Sequence, residues 1–235
     1  MATAETAVGR RKAARLEDLR VRDLLLVALT LSTGCVDAIS WFGLGKVFSA
    51  FMTGNLAFLG FRIGGATQPP VVRVIAATAA FAVGAAVGAL IVRHPRDPDA
   101  IWPPKVAVAM AVAFACEAAF LVLWLAVDAQ PSSVSGDVLI ALSALAMGIQ
   151  TAAVFSLGVR ADFTTAATAT LMVLMGDLAG WKQAGGERLR LAGTLGGLVG
   201  GAVIGTALVL NAPDWAPAFP LVATAAVLAV SRRLI

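Results

Sequence analysis

The chain has 235 residues, of which 59% are hydrophobic and 14% charged, and its formal net charge is +4. Soluble domains are closer to half apolar and a quarter charged, so this composition excludes a soluble globular protein and indicates an integral membrane protein. Aromatic residues make up 7% of the chain, and the basic residues cluster at the N-terminus and in short loops. This pattern disfavours a nucleic-acid partner and makes the lipid bilayer the expected partner.

Residues 1–22 are polar and basic. We expect a disordered cytoplasmic tail there, helical at most near Leu16 to Arg22, followed by a single membrane domain over residues 23–235.

Eight apolar segments follow the tail, and breakers rich in Gly and Pro separate most of them. They are Leu24–Leu44, Val47–Ile63, Val71–Val92, Val106–Val127, Val138–Leu157, Phe163–Gly180, Leu189–Leu210 and Pro217–Val230. A membrane-spanning helix needs about 20 apolar residues, and the second, sixth and eighth segments are the short ones.

The second half of the chain repeats the first, with repeat 1 at about residues 23–127 and repeat 2 at about residues 137–235. The matched positions are Gly34 with Gly148 at an offset of 114, Thr53 with Thr168 at 115, and, all at 113, Gly84 with Gly197, Gly88 with Gly201, Trp102 with Trp215 and Pro104 with Pro217. The near-constant offset indicates duplication of a four-segment unit.

The distribution of basic residues predicts how many segments cross the membrane. If all eight cross, five of the 18 basic residues lie outside the cell. If the second and sixth segments enter and leave on one side, three lie outside, namely Lys46, Arg62 and Arg73. The positive-inside rule favours the second arrangement, with both termini in the cytoplasm.

The predicted fold is therefore an all-α membrane protein, a helical bundle of two inverted repeats with six spanning helices and two short re-entrant or broken helices. Inverted repeats with discontinuous helices at matching positions are found in many secondary transporters. Irregular backbone at membrane depth persists where it is buried in protein or lines a water-filled cavity.

Asp37 lies in the first apolar segment, about thirteen residues in and roughly 20 Å from the cytoplasmic end. It shares a helix face with Gly34, Ala38 and Trp41. Beyond the break at Gly43–Lys46, the second segment carries Thr53, Gly54 and Asn55. A carboxyl group in hydrocarbon usually faces a cavity or a partner. Two interpretations remain open for Asp37: a proton- or cation-binding group in a substrate cavity, and a structural carboxylate that binds backbone N–H groups of the second segment.

In repeat 2 the corresponding positions are polar but uncharged, with Gln150 near the position of Asp37 and Thr168 at that of Thr53. Glu117 is a second intramembrane acid, for which a proton-coupling role and a structural role are both open. The predicted substrate or ion pathway consists of Asp37, Thr53, Gly54, Asn55, Gln150, Thr168 and Glu117.

The seventh segment carries a glycine stripe at four-residue steps, Gly193, Gly197, Gly201 and Gly205, and the third carries Gly84 and Gly88. Such stripes let helix backbones approach closely in lipid. We expect them to seal the third helix against the seventh or to form a homo-oligomer.

We expect no enzyme activity and no cofactor, because the sequence contains no hydrolase elbow and no Walker loop. Cys35 and Cys116 lie in apolar runs without paired spacing and are expected to be core residues. His94 is the one histidine of the chain and has no second metal ligand near it, so no metal site is predicted.

The stretch GCVDAISWFGLGKVFSAFMTGNLAFLG (34–60) resembles the signature of the YoaK family of bacterial inner-membrane proteins. The stretch GIQTAAVFSLGVRADFTTAATATL (148–171) resembles that family's second signature. The resemblance covers the chain from Leu24 onward and implies a multi-pass protein of the bacterial plasma membrane. Family members usually carry a Thr-Gly pair in the second signature, where this chain has Thr168-Ala169.

The sequence thus predicts a small secondary transporter or permease-like protein for a small molecule or ion. The alternatives are a scaffold or assembly protein that uses its glycine-striped helices, and a channel.

Overall fold

The computed structural model describes residues 2–93, 100–159, 167–180 and 187–235, with the side chains of residues 2–12, 177 and 187 outside the description. Its helices are α1 Ala2–Gly43, α2 Met52–Ile63, α3 Val71–Val92, α4 Pro104–Ala126, α5 Ser133–Ser156, α6 Ala167–Leu178, α7 Glu187–Asn211 and α8 Ala218–Ser231, with a 3₁₀ turn at Pro213–Trp215. His94 and the start of the predicted sixth segment lie outside the described residues. The all-α membrane fold is confirmed for the described parts of the chain.

The polar tail is helical from Ala2 and continuous with the first membrane helix. The prediction of a disordered tail is therefore wrong. Ala, Arg, Lys and Glu are good helix formers, and the apolar part of α1 supplies the folded nucleus from which the helix extends.

Six helices are long and apolar enough to cross a membrane, as far as the structure describes the chain; they lie at Ala13–Gly43, Val71–Val92, Pro104–Ala126, Ser133–Ser156, Arg188–Asn211 and Pro213–Ser231. Helices α2 and α6 have 12 residues each. At 1.5 Å per residue each is about 18 Å long, well short of the roughly 30 Å hydrocarbon layer. The prediction of six spanning helices and two short ones agrees with these lengths, and the short eighth segment reaches spanning length together with the 3₁₀ turn before it.

Helix α1 ends at a sharp turn in which two successive residues have positive φ. Gly45 has φ +87° and Lys46 has φ +62°, and the Lys46 amide donates to the Trp41 carbonyl (3.0 Å). Backbone in the left-handed region is comfortable for glycine and uncommon for other residues. This turn separates α1 from the loop 44–51, which leads into α2.

Arg73 shows that the chain leaves α1 and enters α3 at the same end of the bundle. Its Nη1 donates to the Leu44 carbonyl (3.0 Å), its Nε to Asp137 Oδ1 (2.8 Å) and its Nη2 to the Ser133 carbonyl (3.0 Å). The end of α1, the start of α3 and the start of α5 therefore meet there. The connection that contains α2 therefore begins and ends at this one end of the bundle, as the re-entrant arrangement requires.

A buried cluster at the opposite end joins the first part of α1, the start of α4 and the ends of α5 and α8. It includes Leu25, Trp102, Val154 and Val227. The six long helices therefore alternate in direction along the chain, and α1 and α5 point in opposite directions.

The closest helix pairs are α3 with α5 and α1 with α7. Glycines mediate both contacts. A Cβ on Gly201 would collide with the Leu31 carbonyl of α1, and a Cβ on Gly84 would collide with the Leu145 carbonyl of α5. The prediction that the third helix seals against the seventh is wrong, because each glycine helix packs on the first helix of the other repeat.

These contacts also relate glycines in the two halves of the chain. Leu31 and Leu145 are 114 residues apart, so their partners Gly201 and Gly84 are equivalent at an offset of 117. Gly205 on Cys35 and Gly88 on Ile149 form the next matched pair of contacts. The contacts of these glycines therefore match at an offset one helical turn longer than the 113 at which the sequence pairs them.

Candidate functional site

The loop 44–51 is fastened to α1 by Asp37. Asp37 Oδ1 accepts hydrogen bonds from the backbone amides of Ser49 (2.9 Å) and Ala50 (2.8 Å). The Ser40 and Ser49 hydroxyls lie 2.6 Å apart beneath this contact. The structural interpretation of Asp37, a carboxylate bound to backbone N–H groups, is thus realised in the geometry.

Asn55 fixes the same loop from the α2 side. Its Oδ1 accepts from the Phe48 amide (3.0 Å) and its Nδ2 donates to the Phe48 carbonyl (2.7 Å). Asn55 is 0% exposed, whereas Thr53 is exposed. Gly54 lies against the Phe51 ring, 2.7 Å from where its own Cβ would stand. Gly54 and Asn55 therefore shape the loop.

A cavity of about 410 Å³ lies between α1, the loop 44–51, α6 and α7. The α1 face predicted from the sequence lines it, with Gly34, Asp37, Ala38 and Trp41 all contributing. Thr168 and Ala167 line it from the first turn of α6. Asp37 and Thr168, which come from the first and second halves of the chain, thus share one cavity.

Aromatic rings form the wall of this cavity beside Asp37. The Trp41 and Phe48 rings stack with centroids 5.1 Å apart, and Phe51 meets Phe48 edge-on at 5.3 Å. All three line the cavity. Offset and edge-on ring pairs are favourable arrangements, so the rings stabilise one another in these positions.

Gln150 reaches the cavity through an intermediate residue. Its Nε2 donates to the Thr33 hydroxyl (3.0 Å), and Thr33 lines the cavity. Gln150 is itself 0% exposed, and its Oε1 is buried without a hydrogen-bond partner within the described part of the chain. Gln150 therefore supports the wall of the site from behind.

Glu117 lies in a different place, on α4 facing α8. Its Oε1 accepts a hydrogen bond from the Thr224 hydroxyl (3.1 Å). Its Oε2 is buried and unpaired among the described residues. It borders a separate cavity of about 20 Å³, which is large enough for one water molecule. The structure does not bring Glu117 into the cavity that contains Asp37.

Of the seven predicted pathway residues, Asp37 and Thr168 line the cavity, while Asn55 and Gln150 hold residues that do. The sequence prediction missed Phe48, Phe51 and Thr206 of the lining. The signals that point to them are aromatic residues flanking a helix break and a threonine in the apolar second half of α7. No group of three or more His, Cys, Asp and Glu side chains within the described ranges is placed to hold a metal ion.

This fold and this site define a multi-pass α-helical membrane protein with a largely apolar cavity, containing one carboxyl group, at a break between two helices. Residues 25–230 match the family described as "Protein of unknown function (DUF1275)", and the chain belongs to that family. It is also similar to the UPF0700 transmembrane protein YoaK of Bacillus subtilis (strain 168), with 35% identity over 159 residues, which is 68% of each chain. The YoaK resemblance is thereby confirmed. No solved structure matches the chain.

Proposed function

We propose that this protein is a small secondary transporter, a permease-like carrier of the bacterial plasma membrane, and that the cavity beside Asp37 is its substrate site. The observation that carries this proposal is the position of the cavity. It lies where α1 breaks, it contains a carboxylate, and α6 of the other repeat closes one side of it. Ionisable residues within membrane helices usually mark a substrate or ion pathway.

The pairing of the helices supports a carrier built from two inverted repeats. Helix α1 packs on α7 as α5 packs on α3, and the long helices of the two halves run in opposite directions. Carriers of this design move one repeat against the other around a site near the middle of the membrane. The charge distribution supports an orientation with both termini in the cytoplasm.

The scaffold alternative assumed that the glycine stripe of α7 is free to bind another protein, and part of that stripe is already used within the chain. Gly201 and Gly205 are occupied by close contacts with α1 of the same chain, whereas Gly196 and Gly200 have no neighbour within 4 Å in the described structure. A channel remains an alternative to a carrier, and uptake against a concentration gradient distinguishes the two.

The proposal is tested by comparing metabolites inside and outside deletion cells that express wild-type protein, Asp37→Asn or Asp128→Asn. We expect wild-type protein to change the distribution of at least one small molecule. Asp128→Asn, which makes the same chemical change in the loop after α4, should behave like wild type. Asp37→Asn should behave like the deletion. Equal profiles for Asp37→Asn and wild type, at matched membrane levels, would contradict the proposal.

A further inference from the structure

We infer that the ligand of this cavity is an organic cation, a protonated amine attached to an apolar body. This inference rests on the proposed function, since it names the substrate class of the same site. Three properties of the cavity carry it: its charge, its wall and its size.

The charge favours a cation. Asp37 is the one charged residue among the described residues that line the cavity. The Ser49 and Ala50 amides both donate to Oδ1, and the Phe51 amide also approaches the carboxyl group. A carboxylate has about four lone-pair sites, so it can still accept a hydrogen bond from a ligand. The two backbone amides also hold the carboxyl group in one orientation. A charge-assisted hydrogen bond from an ammonium group to such a fixed oxygen is short and strong.

The wall favours an organic cation. Trp41, Phe48 and Phe51 present ring surfaces within the same cavity as the carboxyl group. Aromatic faces attract ammonium groups through the ring quadrupole, and tryptophan does so most strongly. The same rings, together with Leu198 and Ala202 of α7, offer an apolar surface for the body of the ligand.

The size and the donor set disfavour an inorganic cation. Hard metal ions require about six oxygen ligands at close range. The described lining offers the Asp37 carboxyl group and the hydroxyls of Thr33, Thr168 and Thr206, and Thr33 already bonds to Gln150 and to the Leu29 carbonyl. A volume of about 410 Å³ lies in the range of small-molecule sites.

The test measures binding to the purified full-length protein in detergent by calorimetry. The probes are three molecules with the same phenylethyl body: 2-phenylethylamine (cationic), 2-phenylethanol (neutral) and 3-phenylpropionate (anionic). We expect the amine to bind wild type at least about tenfold more tightly than the alcohol, the strength of one charge-assisted contact, and the anion to bind most weakly. Asp37→Asn should remove this preference, and Asp128→Asn should keep it.

Variants of Trp41 test the aromatic wall independently of the carboxyl group. Trp41→Phe keeps a ring face and should retain most of the amine affinity, whereas Trp41→Leu should weaken amine binding roughly threefold with little change for the alcohol. If Asp37→Asn does not elute as a folded species in size-exclusion chromatography, the Trp41 pair and the wild-type probe series decide the question. An anion that binds as tightly as the amine, or amine binding that Asp37→Asn leaves unchanged, would overturn the inference.

Uptake of the same amine into proteoliposomes separates this inference from the proposed function. Binding that depends on Asp37 without uptake supports the cation site and contradicts the carrier. Uptake of a metabolite identified in the cell comparison, with no preference for the cationic probe, supports the carrier and overturns the cation site.

Discussion

Asn55 holds the loop 44–51, which forms part of the cavity wall, against α2. It pairs with both backbone groups of Phe48 and is 0% exposed. Asn55→Ala leaves the part-buried N–H and C=O of Phe48 unpaired, and an unpaired buried group costs about 1–3 kcal/mol. We therefore expect this variant to lower the thermal unfolding midpoint in detergent clearly.

Thr53→Ala is the matched control for that measurement, because Thr53 lies two residues away and is exposed. It should unfold within experimental error of wild type. If the two variants unfolded at the same temperature, the bonds from Asn55 to Phe48 would not support the loop.

The residue scale also shows which parts of the site the sequence predicts. An acid inside an apolar run is conspicuous because its burial in lipid is costly, and the helical period placed Trp41 on the same face. Phe48 and Phe51 gave no comparable signal. Their positions depend on the turn at Gly45 and on the bonds from Asp37 and Asn55, which are contacts across the chain that periodicity does not encode.

At the scale of elements, the glycine contacts between α1 and α7 predict that alanine substitutions at two neighbouring residues have very different effects on stability. A Cβ on Gly201 would collide with the Leu31 carbonyl, whereas Gly200 has open space around it. Gly201→Ala must separate two helix backbones, and overpacking of this kind costs about 1–3 kcal/mol. Gly200→Ala should be neutral or slightly stabilising, because alanine is the better helix former.

Size-exclusion chromatography after heating measures both variants, and a lower midpoint for Gly201→Ala alone is the expected result. Equal midpoints would show that α7 does not pack on α1 at this residue.

The helix lengths were predictable from the sequence because a spanning helix needs about 20 apolar residues, and the length of an apolar run can be read from local composition. The alignment of the glycine helices was not. Helix α7 carries glycine at Gly193, Gly197, Gly201 and Gly205, so the same pattern recurs at every turn. The packing of α7 on α1 decides which of these glycines contact which residues of α1, and the spacing of glycines in the sequence carries no information about that packing.

At the scale of the whole molecule, the offsets found in the glycine contacts, 114 between α1 and α5 and 117 between α3 and α7, predict a second ion pair. Arg190 lies 117 residues after Arg73, and Asp23 lies 114 residues before Asp137. Arg73 and Asp137 form an ion pair (2.8 Å) at one end of the bundle. Arg190 is 7% exposed, and Asp23 already pairs with Arg22 at 2.8 Å. If the halves are inverted repeats, Arg190 and Asp23 join at the opposite end.

We therefore expect Arg190→Gln and Asp23→Asn to be energetically coupled. Unfolding of both single variants and the double variant should give a coupling energy of about 1 kcal/mol or more, since residues in one ion-pair network are not additive. The same cycle on Arg73 and Asp137 provides the reference. Strict additivity of the Arg190 and Asp23 variants would contradict the symmetry.

The arrangement of the whole chain in the membrane is tested by cysteine accessibility. Thr67, Gln130 and Asp214 lie in connections at the end of the bundle where α1 ends, and Ala100 lies in the connection at the opposite end. With α2 and α6 re-entrant and the termini cytoplasmic, we expect an impermeant maleimide to label Thr67→Cys, Gln130→Cys and Asp214→Cys on intact cells and to spare Ala100→Cys. With eight spanning segments, Thr67 and Gln130 become cytoplasmic and Ala100 external, while Asp214 stays external and serves as the positive control.

Cys35 is buried and Cys116 half-buried, so the unmodified chain sets a low background. Labelling of Ala100→Cys with protection of Thr67→Cys would rule out two same-side helices, and with them the inverted repeats on which the carrier proposal draws.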